Sequence, residues 1–141
     1  MAMTGIAAFD RTVQKTNEWL NELMEFHDGC DRQKAYLVLR ATLHALRDRL
    51  TPEEAVELSA QLPMLIRGFY FEGWRPSATP VKDRHKSEFL KHIGDALQGY
   101  DLGRPEDIAR GVFRILDHRI SAGEMKDVRQ VLPQEIRELF D

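Results

Sequence analysis

The sequence predicts an all-α protein: an eight-helix bundle made of two tandem four-helix units, related by an internal repeat of about seventy residues. Shifting the chain by seventy residues places residues 40–70 on residues 110–140 without a gap. Apolar residues recur at spacings of three and four, and no run alternates with a period of two. Helix-capping signals stand between the apolar segments.

The two aligned segments share more residues than chance provides. Unrelated sequences of this length would share roughly two identical positions. The identical pairs are Arg40/Arg110, Leu46/Leu116, Arg49/Arg119, Glu54/Glu124, Leu62/Leu132, Pro63/Pro133, Ile66/Ile136 and Arg67/Arg137. We therefore predict one pseudo-symmetric domain over residues 1–141, with unit one at 1–72, a linker at 73–82 and unit two at 83–141.

Each unit begins with two amphipathic segments. The first helix is predicted over residues 6–26, and its counterpart over residues 83–98, because both carry an apolar stripe at helical spacing. The second helix has the clearest stripe, over residues 36–50 in one unit and 109–120 in the other. We expect these second helices to lie at the centre of the core.

The third and fourth helices are marked by capping residues and proline. Thr51 and Ser121 each precede a glutamate by three residues, which is the capping-box pattern of a helix N-terminus. Pro63 and Pro133 end the third helix, because proline disfavours helical geometry in the residue before it. Each proline also opens a short fourth helix.

Composition excludes several functional classes. The chain has 141 residues and a formal charge of −3, so we expect no nucleic-acid partner. No segment approaches the ~20 apolar residues that cross a bilayer, and we expect no membrane partner. Cys30 is the single cysteine, no phosphate-binding loop or catalytic triad is recognisable, and the prediction is a cytoplasmic protein that is not an enzyme and has no cofactor.

The stretch at residues 60–74, Ala-Gln-Leu-Pro-Met-Leu-Ile-Arg-Gly-Phe-Tyr-Phe-Glu-Gly-Trp, resembles a bacterial family of unknown function, DUF2267. Residues 43–50 and 123–133 fit the same pattern. The resemblance covers nearly the whole chain. It implies an all-helical bacterial protein connected with stress adaptation, and it provides no catalytic residues to carry over.

The leading functional hypothesis is an interaction module that binds a protein partner, or a second copy of itself, where the repeat is broken. The aromatic run at the end of unit one has no counterpart after residue 141, and aromatic side chains are favoured at interfaces. The predicted partner-binding residues are Arg67, Phe69, Tyr70, Phe71, Trp74 and Arg75. The alternative is that these aromatics seal the seam between the two units.

Three other hypotheses follow from the sequence. A small-ligand carrier would use an apolar groove between the units, lined by Leu43, Leu46, Phe113 and Leu116. His85, Glu88 and His92 share one helix face and form a weak metal candidate, for which a solvated face is the simpler explanation. The repeated arginines either bind an anion at the pseudo-axis or pair with internal carboxylates and helix C-terminal carbonyls.

Overall fold

The computed structural model describes residues 4–27 and 30–141, and within these residues the chain forms eight α-helices and no strand. The all-α prediction is confirmed, and the internal repeat stays a prediction. The helices are α1 (Ala7–Phe26), α2 (Arg32–Arg47), α3 (Pro52–Ser59), α4 (Met64–Phe71), α5 (Lys86–Ala96), α6 (Pro105–Arg119), α7 (Ala122–Val131) and α8 (Gln134–Arg137). Two short 3-10 turns follow α4 and α8, at Pro76–Ala78 and Glu138–Phe140.

The core is one continuous apolar cluster to which all eight helices contribute. Helices α2 and α6 contribute most, because their three-and-four spacing buries residues from the first turn to the last. The two helices contact each other, and α1 crosses from α2 to α6. Leu39, Leu43 and Phe113 are fully buried at this centre. The predicted central position of these two helices is therefore confirmed.

The predicted helix starts at hydroxyl residues and prolines are found, and α3 ends at Ser59, before Pro63. The Thr51 hydroxyl accepts a hydrogen bond from the Glu54 amide at 3.2 Å, and the Ser121 hydroxyl accepts one from the Glu124 amide at 3.2 Å. Each bond satisfies a backbone donor that the first turn of a helix leaves without a partner. Pro63 and Pro133 lie at the N-caps of α4 and α8.

The first helices of the two halves differ in length. Helix α1 has 20 residues and α5 has 11, so α5 is shorter than the predicted span of residues 83–98. Because α5 begins seventy residues after Thr16, residues 7–15 of α1 have no α-helical counterpart. The Thr12 hydroxyl in this extension accepts a hydrogen bond from the Leu65 amide at 2.9 Å. The extension is thereby attached to the start of α4.

Candidate functional site

An open groove of about 1000 Å³ lies between α1, α2 and α4. We call it the α1–α4 groove. Its lining combines large apolar side chains with a small number of polar ones: Phe9, Thr12, Val13, Thr16, Asn17, Leu20, Arg32, Gln33, Tyr36, Met64, Leu65, Gly68, Phe69 and Glu72. One wall is the N-terminal extension of α1, so the groove depends on the extra length of that helix.

The walls of the α1–α4 groove expose apolar surface that the core does not cover. Phe9 is 45% exposed, Met64 49% and Leu65 46%. Ile6, which precedes α1, is also about half exposed. A cluster of exposed large apolar side chains at one place on a protein surface is typical of a binding site.

The floor of the groove is kept open by a glycine. A Cβ atom added at Gly68 would meet no other atom within 4 Å, so a larger residue there would project into free space. Tyr36 and Phe69 meet edge to face beside it, with ring centroids 5.3 Å apart. An apolar ligand would therefore lie against two aromatic rings and bare helix backbone.

The charges along the groove are unequal. The Glu72 carboxylate is paired with Arg40, whose Nε lies 3.7 Å from Oε1. Arg32 donates from Nη1 to the Asn17 side-chain oxygen at 2.9 Å, and no carboxylate among the described residues lies within 4 Å of its guanidinium. Arg32 stands in the first turn of α2, where the helix dipole adds positive potential. This end of the groove is therefore cationic.

The predicted partner-binding segment divides between the core and the surface. Tyr70 is fully buried and donates a hydrogen bond from its hydroxyl to the Ala55 carbonyl at 2.8 Å, and burial raises its pKa above the usual value. Phe69 is 8% exposed. Phe71 and Trp74 pack against each other with centroids 5.1 Å apart and are partly buried. Tyr70 therefore cannot contact a partner in this conformation, and its burial matches the sealing alternative.

The two arginines of that segment have different surroundings. Arg67 donates from Nε to the Ser59 carbonyl at 2.9 Å and from Nη2 to the Leu62 carbonyl at 3.1 Å, at the C-terminus of α3. Arg137 makes the equivalent bond to the Leu132 carbonyl at 2.9 Å. Arg75 is exposed beside the 3-10 turn. Binding of a partner by residues 67–75 stays a prediction, but Arg67 has a structural role of its own.

The predicted groove between the two units is wrong in its position. Leu43, Leu46, Phe113 and Leu116 are all 0% exposed, so their side chains fill the core and line no open surface. Helices α2 and α6 contact each other at this place. The α1–α4 groove, by contrast, is lined by residues of the first half alone.

The residues of the metal candidate are held by different partners. His85 Nδ1 lies 3.0 Å from Glu135 Oε2, and this hydrogen bond raises the pKa of His85. His92 Nδ1 accepts from Arg49 Nη1 at 2.9 Å, and burial, followed by the Arg49 charge, lowers its pKa. Glu88 is exposed. In the conformation described, these contacts do not bring the three side chains to one point.

Sequence reasoning missed the α1–α4 groove, although the sequence holds a signal for it. Met64 and Leu65 lie seventy residues before Gln134 and Glu135. A position that is apolar in one unit and polar in the other is not required by a shared core. Comparing the aligned pairs for polarity would have identified the outer face of the fourth helix.

Comparison with curated proteins gives no match. In the part of the chain that the structure describes, no helix has the length and apolar character to cross a membrane. A family model described as an uncharacterized conserved protein matches residues 16–139. Because this match covers most of the sequence, the chain belongs to the DUF2267 family of uncharacterized conserved proteins.

Proposed function

We propose that the protein is a non-enzymatic binding protein whose α1–α4 groove holds one amphiphile, a molecule with an apolar body and an anionic head group. The observation that carries the proposal is an apolar groove of about 1000 Å³ with a cationic end. This moves the predicted ligand-carrier site from the seam between the halves to the outer face of α4. Binding of a protein partner at residues 67–75, the bacterial cytoplasm and the link to stress stay predictions.

The apolar body is supported by the walls of the groove. Ligand pockets of proteins commonly have volumes of about 300–1000 Å³ and apolar walls with a small number of polar groups. Phe9, Met64 and Leu65 are each about half exposed without a ligand. An acyl chain lying between them would remove this surface from water, at roughly 25 cal/mol for each Å² of apolar area.

The anionic head group is supported by Arg32. Its guanidinium has a planar set of donors that fits a carboxylate or a phosphate. The other charged lining residue, Glu72, is already paired with Arg40. A carboxylate beside Arg32 would therefore meet a cation without competing with an internal acid. If the head group lies beside Arg32, the apolar part of the ligand extends along α1 and α4.

The non-enzymatic part of the proposal rests on the side chains in the groove. Among the described lining residues there is no histidine or cysteine, and the lining glutamate is in an ion pair. Nucleophilic catalysis needs a nucleophile with a base within hydrogen-bond reach. The lining supplies hydroxyl, amide and guanidinium groups, which are suited to orienting a ligand.

A competition assay tests the proposal. The probe is anilinonaphthalene sulfonate, an anionic dye whose fluorescence rises in apolar sites, and dodecanoate is the competitor. We expect Leu65→Glu to weaken dodecanoate binding more than about tenfold, because it places a charge against the acyl chain. Val56→Glu is the matched control, since Val56 is 50% exposed on α3, outside the groove. Equal effects of the two substitutions would refute the assignment of the groove.

The head-group assignment has its own comparison. Arg32→Gln removes a charge-assisted hydrogen bond worth about 1.5–3 kcal/mol, so we expect about a tenfold loss or more for dodecanoate and little change for dodecanol. Equal losses would contradict the anionic head group. Sedimentation equilibrium distinguishes the rival occupant, a second copy of the chain. The wild-type protein could form a dimer that Leu65→Glu dissociates, and fail to bind dodecanoate. This result would show that the groove holds a second copy of the chain and not an amphiphile.

A further inference from the structure

The two capping-box glutamates do not complete their capping boxes. In a complete box the glutamate side chain accepts from the backbone amide of the N-cap residue. The Ser121 amide instead donates to the Gln61 side-chain oxygen at 2.8 Å, and Gln61 Nε2 donates to the Ser121 hydroxyl at 3.0 Å. The Glu124 carboxylate is therefore free to turn toward α3, where it lies against Glu54.

Glu54 and Glu124 are buried without partners for part of each carboxylate. They are 8% and 9% exposed, and the Oε2 atom of each has no hydrogen-bond partner among the described residues. An unpartnered carboxylate oxygen in a buried position costs several kcal/mol unless a proton or a cation compensates it. Burial, a hydrogen bond that protonated Glu54 donates to Glu124, and the charges of Glu124 and Asp127 raise the pKa of Glu54 to about 8.

The same place gathers a third carboxylate. One oxygen from each of Glu54, Glu57 and Glu124 lies within 4.8 Å of the other two. Divalent cations that prefer oxygen ligands have bonds of about 2.0–2.6 Å, so two ligands of one ion lie up to about 5 Å apart. The spacing of the three oxygens suits a single ion. Glu57 is exposed, which provides a way in and room for water ligands.

We propose that Glu54, Glu57 and Glu124 bind one divalent cation of the oxygen-preferring class, such as Ca²⁺ or Mn²⁺, and that the ion joins α3 to α7. The Oε2 atoms of Glu54 and Glu124 provide evidence beyond the gathering of acids, because each is buried and has no hydrogen-bond partner among the described residues. Binding releases to solvent the proton that the pair otherwise shares. The site is separate from the α1–α4 groove and does not depend on the proposed amphiphile.

The test uses the full chain after treatment with a chelator. We expect Mn²⁺ and Ca²⁺ to raise the Tm at pH 8 in a saturable manner, because an ion that binds only the folded state stabilises it by mass action. Isothermal titration with Mn²⁺ is expected to give one site per chain. Glu54→Gln is expected to abolish both responses. This variant also removes a buried charge repulsion, so we expect it to fold.

The matched control is Glu53→Gln, which removes an exposed carboxylate from the neighbouring position of the same helix. It is expected to keep the full cation response. Equal responses in Glu54→Gln and the wild-type protein would assign the ions to general surface acids and overturn the proposal. The proposal would also be overturned if the wild-type Tm fell from pH 6 to pH 9 and neither cation changed it. That result would show that Glu54 and Glu124 share a proton and bind no cation.

Discussion

The outer faces of α4 and α8 differ in chemistry, although each helix begins after a proline, Pro63 or Pro133. In the first half this face exposes Met64 and Leu65 to the groove. In the second half Glu135 accepts from the Lys86 amide at 3.0 Å and lies 3.0 Å from His85 Nδ1. The first of these faces is therefore an open apolar surface and the second is an ion-paired one, and the difference comes from residues that the core does not constrain.

Backbone length reinforces the difference in side chains. The extension of α1 forms one wall of the groove, whereas residues 77–85, before α5, contain no α-helix. Lys86, at the start of α5, pairs with Glu106 at 3.1 Å in the place where the first half has Thr16 and Tyr36. The apolar groove therefore requires both the longer helix and the apolar outer residues.

The largest effect is expected where a buried arginine supports the groove. Arg47 is 4% exposed and donates from Nη1 to the carbonyls of Tyr70 and Glu72, at 2.7 and 2.9 Å. We expect Arg47→Met to lower the free energy of unfolding by about 3 kcal/mol, because both carbonyls lose a charged donor. Urea unfolding measures the change. The paired control is Asp117→Asn, seventy residues away, which breaks a surface ion pair and should cost under about 1 kcal/mol. Equal costs would contradict the comparison.

A smaller effect, which depends on pH, is expected at the seam, where both halves carry a glutamate. The pKa of Glu54 is raised from 4.5 to about 8, so the folded protein holds a proton that the unfolded chain releases. Stability therefore falls as the pH rises from about 4.5 through 8. The groups facing Glu54 are Glu57, Glu124 and Asp127, with Tyr70 from α4.

Glu54→Gln stays neutral, so it should match the wild type near pH 4 and exceed it by about 1–2 kcal/mol near pH 9. Urea unfolding with chelator present, at a series of pH values, gives the two curves. Glu53→Gln should follow the wild-type curve. Parallel curves for wild type and Glu54→Gln would show that the Glu54 carboxyl titrates normally.

An effect of about 1 kcal/mol is expected at the contact between the α1 extension and α4. Thr12→Val removes the acceptor of the Leu65 amide at the start of α4, where Pro63 provides no side-chain cap. We expect a loss of about 1 kcal/mol in urea unfolding and faster exchange of the Leu65 amide proton. Ser77→Ala, at an exposed turn residue, is the control. An unchanged exchange rate at Leu65 would show that the extension does not hold α4.

The smallest effect is expected at Gly68. Alanine there should stabilise α4 by about 0.5–1 kcal/mol, because glycine inside a helix has a greater conformational entropy to lose and the new methyl group meets no atom within 4 Å. Gly68→Trp should instead fill the groove and weaken dodecanoate binding. Gly123→Ala, in the first turn of α7 and equally free of neighbours, tests the stability effect away from the groove. A destabilising Gly68→Ala would contradict the open floor.

The sequence predicts features that depend on residues close together in the chain better than contacts between residues that are far apart in it. Thr51 and Ser121 cap the helices they were expected to cap, since capping is decided within four residues. The contact between Glu54 and Glu124 was not predicted. The capping-box pattern concerns each helix alone and gives no information on how α3 packs against α7. The groove was not predicted because Phe9 and Leu65 have the apolar character of core residues. Their exposure depends on how the helices pack, which the sequence pattern of a single helix does not give.

The hydrogen bonds from Arg47 to the Tyr70 and Glu72 carbonyls, at the end of α4, have a consequence for the rate of ligand binding. Because the groove wall is fixed before any ligand arrives, entry requires no helix to open first. Association of dodecanoate should then follow a single exponential whose rate rises linearly with concentration, without the plateau that a preceding conformational step imposes. A stopped-flow trace with one phase would thus indicate that the end of α4, which Arg47 holds, is rigid before the ligand binds.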